Sequence, residues 1–337
     1  MKHSIARFTG CLVAAAALLL TAGCEWPPQE TEQIGYRGTA MELVKSPEAI
    51  AAKSGLHSVP APQPPATTDG PRAGDVYENL QVLGDLSVGE HTRLMLAITQ
   101  WVAPAEQSCN YCHVGENFAS DELYTKRVSR RMLQMNMDIN RNWQDHVKDT
   151  GVTCYTCHRG QAVPGAIWFE QPPRRSANGF TADNGYQNIG GMAIVAYSSL
   201  PGDPFAQFLD NYRQVRVIGD TALPQNGGAS IQATEHTYGL MMHMSSSLGV
   251  NCTFCHNSRA FAQWDQSTPQ RLTSWHGVNL VRNLNDEYLK PLKPEYPDYR
   301  LGPTGDAPKA NCATCHRGAN KPLNGESMLP DYPNLAP

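Results

Sequence analysis

Cys109-Asn-Tyr-Cys112-His113, Cys154-Tyr-Thr-Cys157-His158, Cys252-Thr-Phe-Cys255-His256 and Cys312-Ala-Thr-Cys315-His316 repeat one pattern, Cys-x-x-Cys-His, four times. Together they hold eight of the ten cysteines in a chain of 337 residues. Two thiols three positions apart can each add to a vinyl group of one haem. The adjacent histidine is then held beneath the porphyrin, where its imidazole can ligate the iron. Zinc would use paired Cys-x-x-Cys segments as four-ligand sites, but it does not require a histidine after every second cysteine. A redox Cys-x-x-Cys normally occurs once, beside a βαβ pattern. Disulfides spanning two residues would be strained and would staple nothing. The motifs therefore predict four covalently bound haem c groups, through Cys109, Cys112, Cys154, Cys157, Cys252, Cys255, Cys312 and Cys315.

Outside the motifs, the composition is mild. Net charge is −4, and no Lys/Arg run appears, which argues against a nucleic-acid partner. With 28 glycines and 25 prolines the chain reads as mainly α and loop-rich, rather than as a doubly wound sheet. Lys2 and Arg7 precede an apolar run from Cys11 to Leu20, too short to span a membrane. Thr21-Ala22-Gly23-Cys24 then resembles a lipobox, so a signal peptide over 1–23 and a lipidated Cys24 are expected. An ordinary cleaved signal or an uncleaved anchor is the alternative. Acyl chains at Cys24 would hold the protein on the outer face of the cytoplasmic membrane.

The expected organisation is an extended, proline-rich arm over 24–75, a first haem pair over 76–160 and a connector over 161–228. A second pair over 229–318 and a tail over 319–337 follow. In the connector, Pro204 to Tyr212 reads as a short helix and Gln214 to Ile218 as a short strand. An internal repeat relates Thr150-Gly-Val-Thr-Cys154 to Leu248-Gly-Val-Asn-Cys252, and Cys157-His-Arg-Gly160 to Cys315-His-Arg-Gly318. Helix–turn–motif units in two pseudo-symmetric halves would explain it.

Each motif histidine supplies one axial ligand, so the helix before each motif was searched for the other. Ser87-x-x-Glu90 is a capping box for a helix to about Val102, whose only sulfur ligand is Met95. A helix from Ser120-Asp121-Glu122 through His146 offers Met132, Met135, Met137 and His146. A third, from Ile231 to Ser247, offers Met241, Met242, Met244, His236 and His243. The fourth, capped at Ser267-Thr-Pro-Gln270 and running to about Leu289, offers only His276. Its iron must use His276, use a histidine from elsewhere, or stay open. On one continuous helix His146 would lie about 21 Å from Met132 on nearly the same face. It could then serve a neighbouring haem. Arg159 and Arg317 read equally well as partners of haem propionates or as surface residues.

Longer stretches carry a family resemblance. Gly35-Tyr-Arg-Gly38, Ala97-Ile-Thr-Gln-Trp-Val102, Arg130-Arg-Met-Leu133, Gly151-Val-Thr-Cys-Tyr-Thr-Cys-His-Arg-Gly160, Arg213-Gln-Val-Arg-Val217, Leu240-Met-Met242, Asn251-Cys-Thr-Phe-Cys-His256 and Ser267-Thr-Pro-Gln-Arg271 resemble the tetrahaem cytochrome subunit of purple-bacterial photosynthetic reaction centres. That resemblance implies iron ligation by Met95 with His113, Met132 with His158, Met241 with His256, and His146 with His316. It implies a lipid-anchored Cys24 on the periplasmic face, and haems in the spatial order first, second, fourth, third. The implied partners are membrane subunits carrying bacteriochlorophyll. The implied donor is a soluble c-type cytochrome or a high-potential iron–sulfur protein. On this reading the chain re-reduces the photo-oxidised special pair and is not an enzyme, all four irons being six-coordinate. Ligand type alone then predicts three higher-potential haems and one lower. A multihaem reductase, or a periplasmic carrier unconnected to photosynthesis, is the rival.

Overall fold

The computed structural model describes residues 27–172, 200–201, 203–217 and 230–336, and the leader, Cys24 and most of the connector lie outside them. The described chain is rich in helices and loops, with two small antiparallel sheets. The arm has more structure than its prolines implied. Strands β1 (Glu30–Gln33) and β2 (Glu42–Lys45) form a hairpin in the register Glu30↔Lys45. Helix α1 (Pro47–Lys53) follows, capped by the Ser46 hydroxyl.

Helix α2 (Val88–Val102) starts as its sequence dictates. The Ser87 hydroxyl accepts from Glu90 N–H and the Glu90 carboxylate accepts from Ser87 N–H. Leu94, Ala97 and Trp101, three and four positions apart, form its buried stripe. Helix α3 (Tyr124–Asn142) is shorter than the single helix predicted. Trp143 leaves the helical region, and His146 lies on a separate turn, α4 (Gln144–Val147). The break lets the chain double back, so that the Asn140 side chain brackets the Val152 main chain with bonds of 2.9 and 2.8 Å. The 21 Å spacing along one helix is therefore corrected.

The second motif forms the short helix α5 (Cys154–His158). Helix α6 (Ile231–Leu248) is capped by Ser230 and ended by Gly249, at φ 64°. Helix α7 (Pro269–Asn283) has Thr268 at its cap position and widens into a π-type turn over Leu284–Leu289. The fourth motif forms α8 (Cys312–His316). In the connector, β3 (Ile167–Trp168) pairs with β4 (Lys309–Ala310). The helix expected from Pro204 is one wide turn, Ala206–Asp210, and residues 214–217 form no strand.

Three apolar clusters hold these pieces. The largest joins Leu94, Ala97 and Trp101 of α2 and Leu133 of α3 to Leu323, Met328, Tyr332 and Leu335 of the tail. A second joins Trp168, Phe205 and Leu209 to Val278 and Val281 of α7. A third, Ile139, Val152, Leu280 and Leu284, packs α3 against α7 and its extension. No helix among the described residues is long and apolar enough to cross a membrane.

Candidate haem sites

The motifs adopt two local forms. The first and third are 3₁₀ turns, Ser108–Tyr111 and Cys252–Phe254, each tied to the following helix by a threonine. The Thr125 hydroxyl donates to Tyr111 O, and the Thr268 hydroxyl to Phe254 O. The second and fourth are one-turn helices with reciprocal caps, Thr153 with Thr156 and Asn311 with Thr314. Both end in a left-handed arginine, Arg159 (φ 53°) and Arg317 (φ 55°).

Three motif histidines are oriented alike. Nδ1 of His158 lies 2.9 Å from Gln161 O, that of His256 3.1 Å from Phe261 O, and that of His316 3.0 Å from Ala319 O. A carbonyl accepts only from N–H, so Nδ1 carries the proton and Nε2 keeps its lone pair for a metal. The His113 ring is turned toward the matching carbonyl, Phe118 O, with Nδ1 buried just outside full hydrogen-bond geometry. Burial lowers the pKa of all four imidazoles, that of His316 to about 4 with help from His146, which favours the neutral form a metal needs.

All eight described cysteines are free thiols. Burial pushes Cys154 and Cys312 up to about 12 and Cys112 to about 11. Cys157 and Cys315 act on each other, raising the former and lowering the latter, so the second and fourth motifs meet at their sulfurs. Among the described residues no three of His, Cys, Asp and Glu gather to hold a metal ion.

A largely apolar cavity of about 800 Å³ connects the first two motifs. Met95, Cys109, Cys112 and His113 line one part; Met132, Cys154, Cys157 and His158 line another; Cys315 reaches it from the fourth motif. The predicted partners Met95 with His113, and Met132 with His158, thus face the same space. Met241 is half-buried on α6, away from the lining of that cavity. Its register is informative, however. Gly160 N–H donates to Trp101 O at 2.8 Å, and Gly318 N–H to Ser247 O at 2.7 Å. Met95 lies six positions before Trp101, and Met241 six before Ser247, whereas Met242 and Met244 do not correspond.

His146 and His316 converge from separate halves of the sequence, with ring centroids 5.9 Å apart. Two imidazoles this close could hold one metal ion between them. His146 Nδ1 lies 3.0 Å from Thr273 O, which again leaves Nε2 available. His276 packs edge-on against Trp275 instead. The residues fit covalent haem on these grounds: paired thiols, apolar space, and neutral imidazoles with Nε2 uncommitted.

Arg159 has main-chain partners that its place after the motif did not indicate. Its guanidinium donates to Thr156 O, Leu56 O and Cys315 O, clamping the second motif to the arm and to the fourth motif. Arg317 keeps a buried Nε without a partner among the described residues. The arm itself was missed as a site element. Val44 N–H donates to Asn251 Oδ1 (3.0 Å) beside the third motif, while Lys53 packs on Gly318 after the fourth. Tyr155 Oη of the second motif donates to Ser58 O (3.0 Å), and Arg93, on the helix before the first motif, donates to Gln63 O and Pro64 O. A polar pattern inside a proline-rich stretch gave no signal for these contacts.

Repeated thiol-and-imidazole units around an apolar cavity define a c-type cytochrome. The sequence model of the family described as photosynthetic reaction centre cytochrome C subunit matches residues 25–336, and this chain belongs to that family. It is 50% identical to the photosynthetic reaction center cytochrome c subunit of Rubrivivax gelatinosus, over 98% of this chain and 90% of that one. The proteins of the same name from Thermochromatium tepidum and Roseobacter denitrificans are 49% and 42% identical. They align over 96% and 97% of this chain, and over 79% and 91% of their own lengths.

Proposed function

We propose that this chain carries four covalently bound c-type haems and re-reduces the photo-oxidised bacteriochlorophyll special pair of a reaction centre. The electrons would come from a soluble c-type cytochrome or high-potential iron–sulfur protein. Family membership makes it an electron-transfer protein rather than an enzyme. Haem supplies reversible one-electron chemistry; the chain supplies attachment, orientation and a dry surround. The observation that carries the reading is the set of four motif histidines, three of them with Nδ1 held at a backbone carbonyl, beside paired free thiols.

In this reading Met95 and His113, Met132 and His158, Met241 and His256, and His146 and His316 ligate the four irons. The shared cavity supports the first two pairs, the common register of α2 and α6 supports Met241, and the 5.9 Å ring separation supports the fourth. The matched contacts of Gly160 with Trp101 and Gly318 with Ser247 also support two pseudo-symmetric haem-pair halves. Arg317, with its uncommitted Nε, suits a haem propionate better than Arg159 does. The arm meets the segments of the third, fourth, second and first motifs in that order, which supports the linear arrangement first, second, fourth, third. A lipidated Cys24 would hold the chain on the periplasmic face.

Two measurements test this. The mature protein should have the mass of the polypeptide, four haems and an acyl-modified Cys24; fewer haems would break the assignment. Flash excitation of isolated membranes should oxidise bacteriochlorophyll and then haem of this chain. If bacteriochlorophyll is re-reduced without any haem oxidation, the function is wrong.

A further inference from the structure

We infer that Gly277 is a positioning residue for the fourth site: its missing side chain is the space in which His146 replaces a methionine. This inference rests on the reading that His146 and His316 hold one haem. The correspondence between α3 and α7 is set at both ends. Ser129 acts on the Cys112 thiol, and the Ser274 hydroxyl lies 3.9 Å from Cys255 Sγ. Asn140 brackets the Val152 main chain, two residues before Cys154. Asn285 brackets Ala310, two before Cys312, at 2.8 and 3.2 Å. The same offset, 145 positions, separates Ser129 from Ser274 and Asn140 from Asn285, so Gly277 stands opposite Met132.

At that position the first half presents a methionine to the shared cavity, and the second half presents nothing. A Cβ on Gly277 would lie 2.5 Å from His146 Cε1, 2.9 Å from Nδ1 and 3.2 Å from Nε2. The ring cannot yield freely, because Nδ1 is held by Thr273 O one helical turn earlier and the ring faces His316. Gly277 is buried within α7 and has no positive φ, so nothing in its own backbone calls for glycine. Glycine is unfavourable inside a helix unless the space of a side chain is needed by something else.

The test compares Gly277→Ala with His146→Ala in the full-length, haem-loaded protein. Both should convert one bis-histidine low-spin haem into a site that binds carbon monoxide when reduced, with the three other haems unchanged in electron paramagnetic resonance. If His146→Ala opens no site, the ligand reading itself fails. If His146→Ala opens one and Gly277→Ala does not, the glycine inference fails alone. Should Gly277→Ala not accumulate, His146→Gly rescued by added imidazole takes its place. Adding Gly277→Ala to that background, where the ring's space is vacant, should weaken imidazole binding at least tenfold. Equal binding would overturn the inference.

Discussion

Arg159 shows how one side chain can join three segments that the sequence keeps far apart. Its half-buried guanidinium reaches carbonyls at Leu56, Thr156 and Cys315, using the planar fork that lysine lacks. Hydrogen bonds from a charged donor are worth about 1.5–3 kcal/mol each, and they are not additive. Arg159→Lys should therefore cost about 3 kcal/mol of stability despite the conserved charge. Chemical unfolding of the haem-loaded protein measures this, and a loss below about 1 kcal/mol would mean that the clamp is idle. Position 159 was legible as special, because an arginine directly follows the motif. Its partners were not legible, since all three are backbone oxygens and carry no residue signature.

At the scale of the element, helix starts were readable where side chains make the cap. Ser87 with Glu90 is the clear case, and Ser87→Ala should cost about 1 kcal/mol in thermal unfolding. The break at Trp143 was not readable, because it answers a distant demand: Asn140 must reach Val152. Spacing alone left open which methionine of α6 would serve the third site, since three candidates crowd within four residues, and only the family resemblance implied Met241. The matched main-chain contacts at Trp101 and Ser247 support the proposal of Met241, which stands on α6 where Met95 stands on α2. Met241→Leu should accordingly abolish the methionine-to-iron charge-transfer absorption of one oxidised haem. Met242→Leu and Met244→Leu should leave it intact. Loss of that band in either of these two, with Met241→Leu unaffected, would reverse the assignment.

For the whole molecule, the motifs made the c-type cytochrome legible and the composition its helical, loop-rich class, but the order of packing came from parts with no motif at all. The arm passes the third, fourth, second and first motif segments in turn. The tail closes the path by entering the core around α2. Tyr332 is buried, with its ring 4.8 Å from Trp101 in an edge-to-face pair and its hydroxyl oxygen accepting from Gln63 N–H at 2.9 Å. The Arg93 guanidinium lies over the same ring, 4.5 Å from its centre. One residue near the end of the chain thus joins the arm to the helix that carries Met95. Removing a buried aromatic side chain costs about 3–5 kcal/mol through lost burial and the cavity left behind. Tyr332→Ala should cost that much, and its spectroscopic effect should fall on the haem proposed for Met95, not on the one proposed for His146 and His316. Tyr332→Phe keeps the ring and loses only the bond to Gln63, so it should cost about 1 kcal/mol. If both variants unfold at the wild-type denaturant concentration, the tail is a passenger and the first half must be held by α2 and α3 alone.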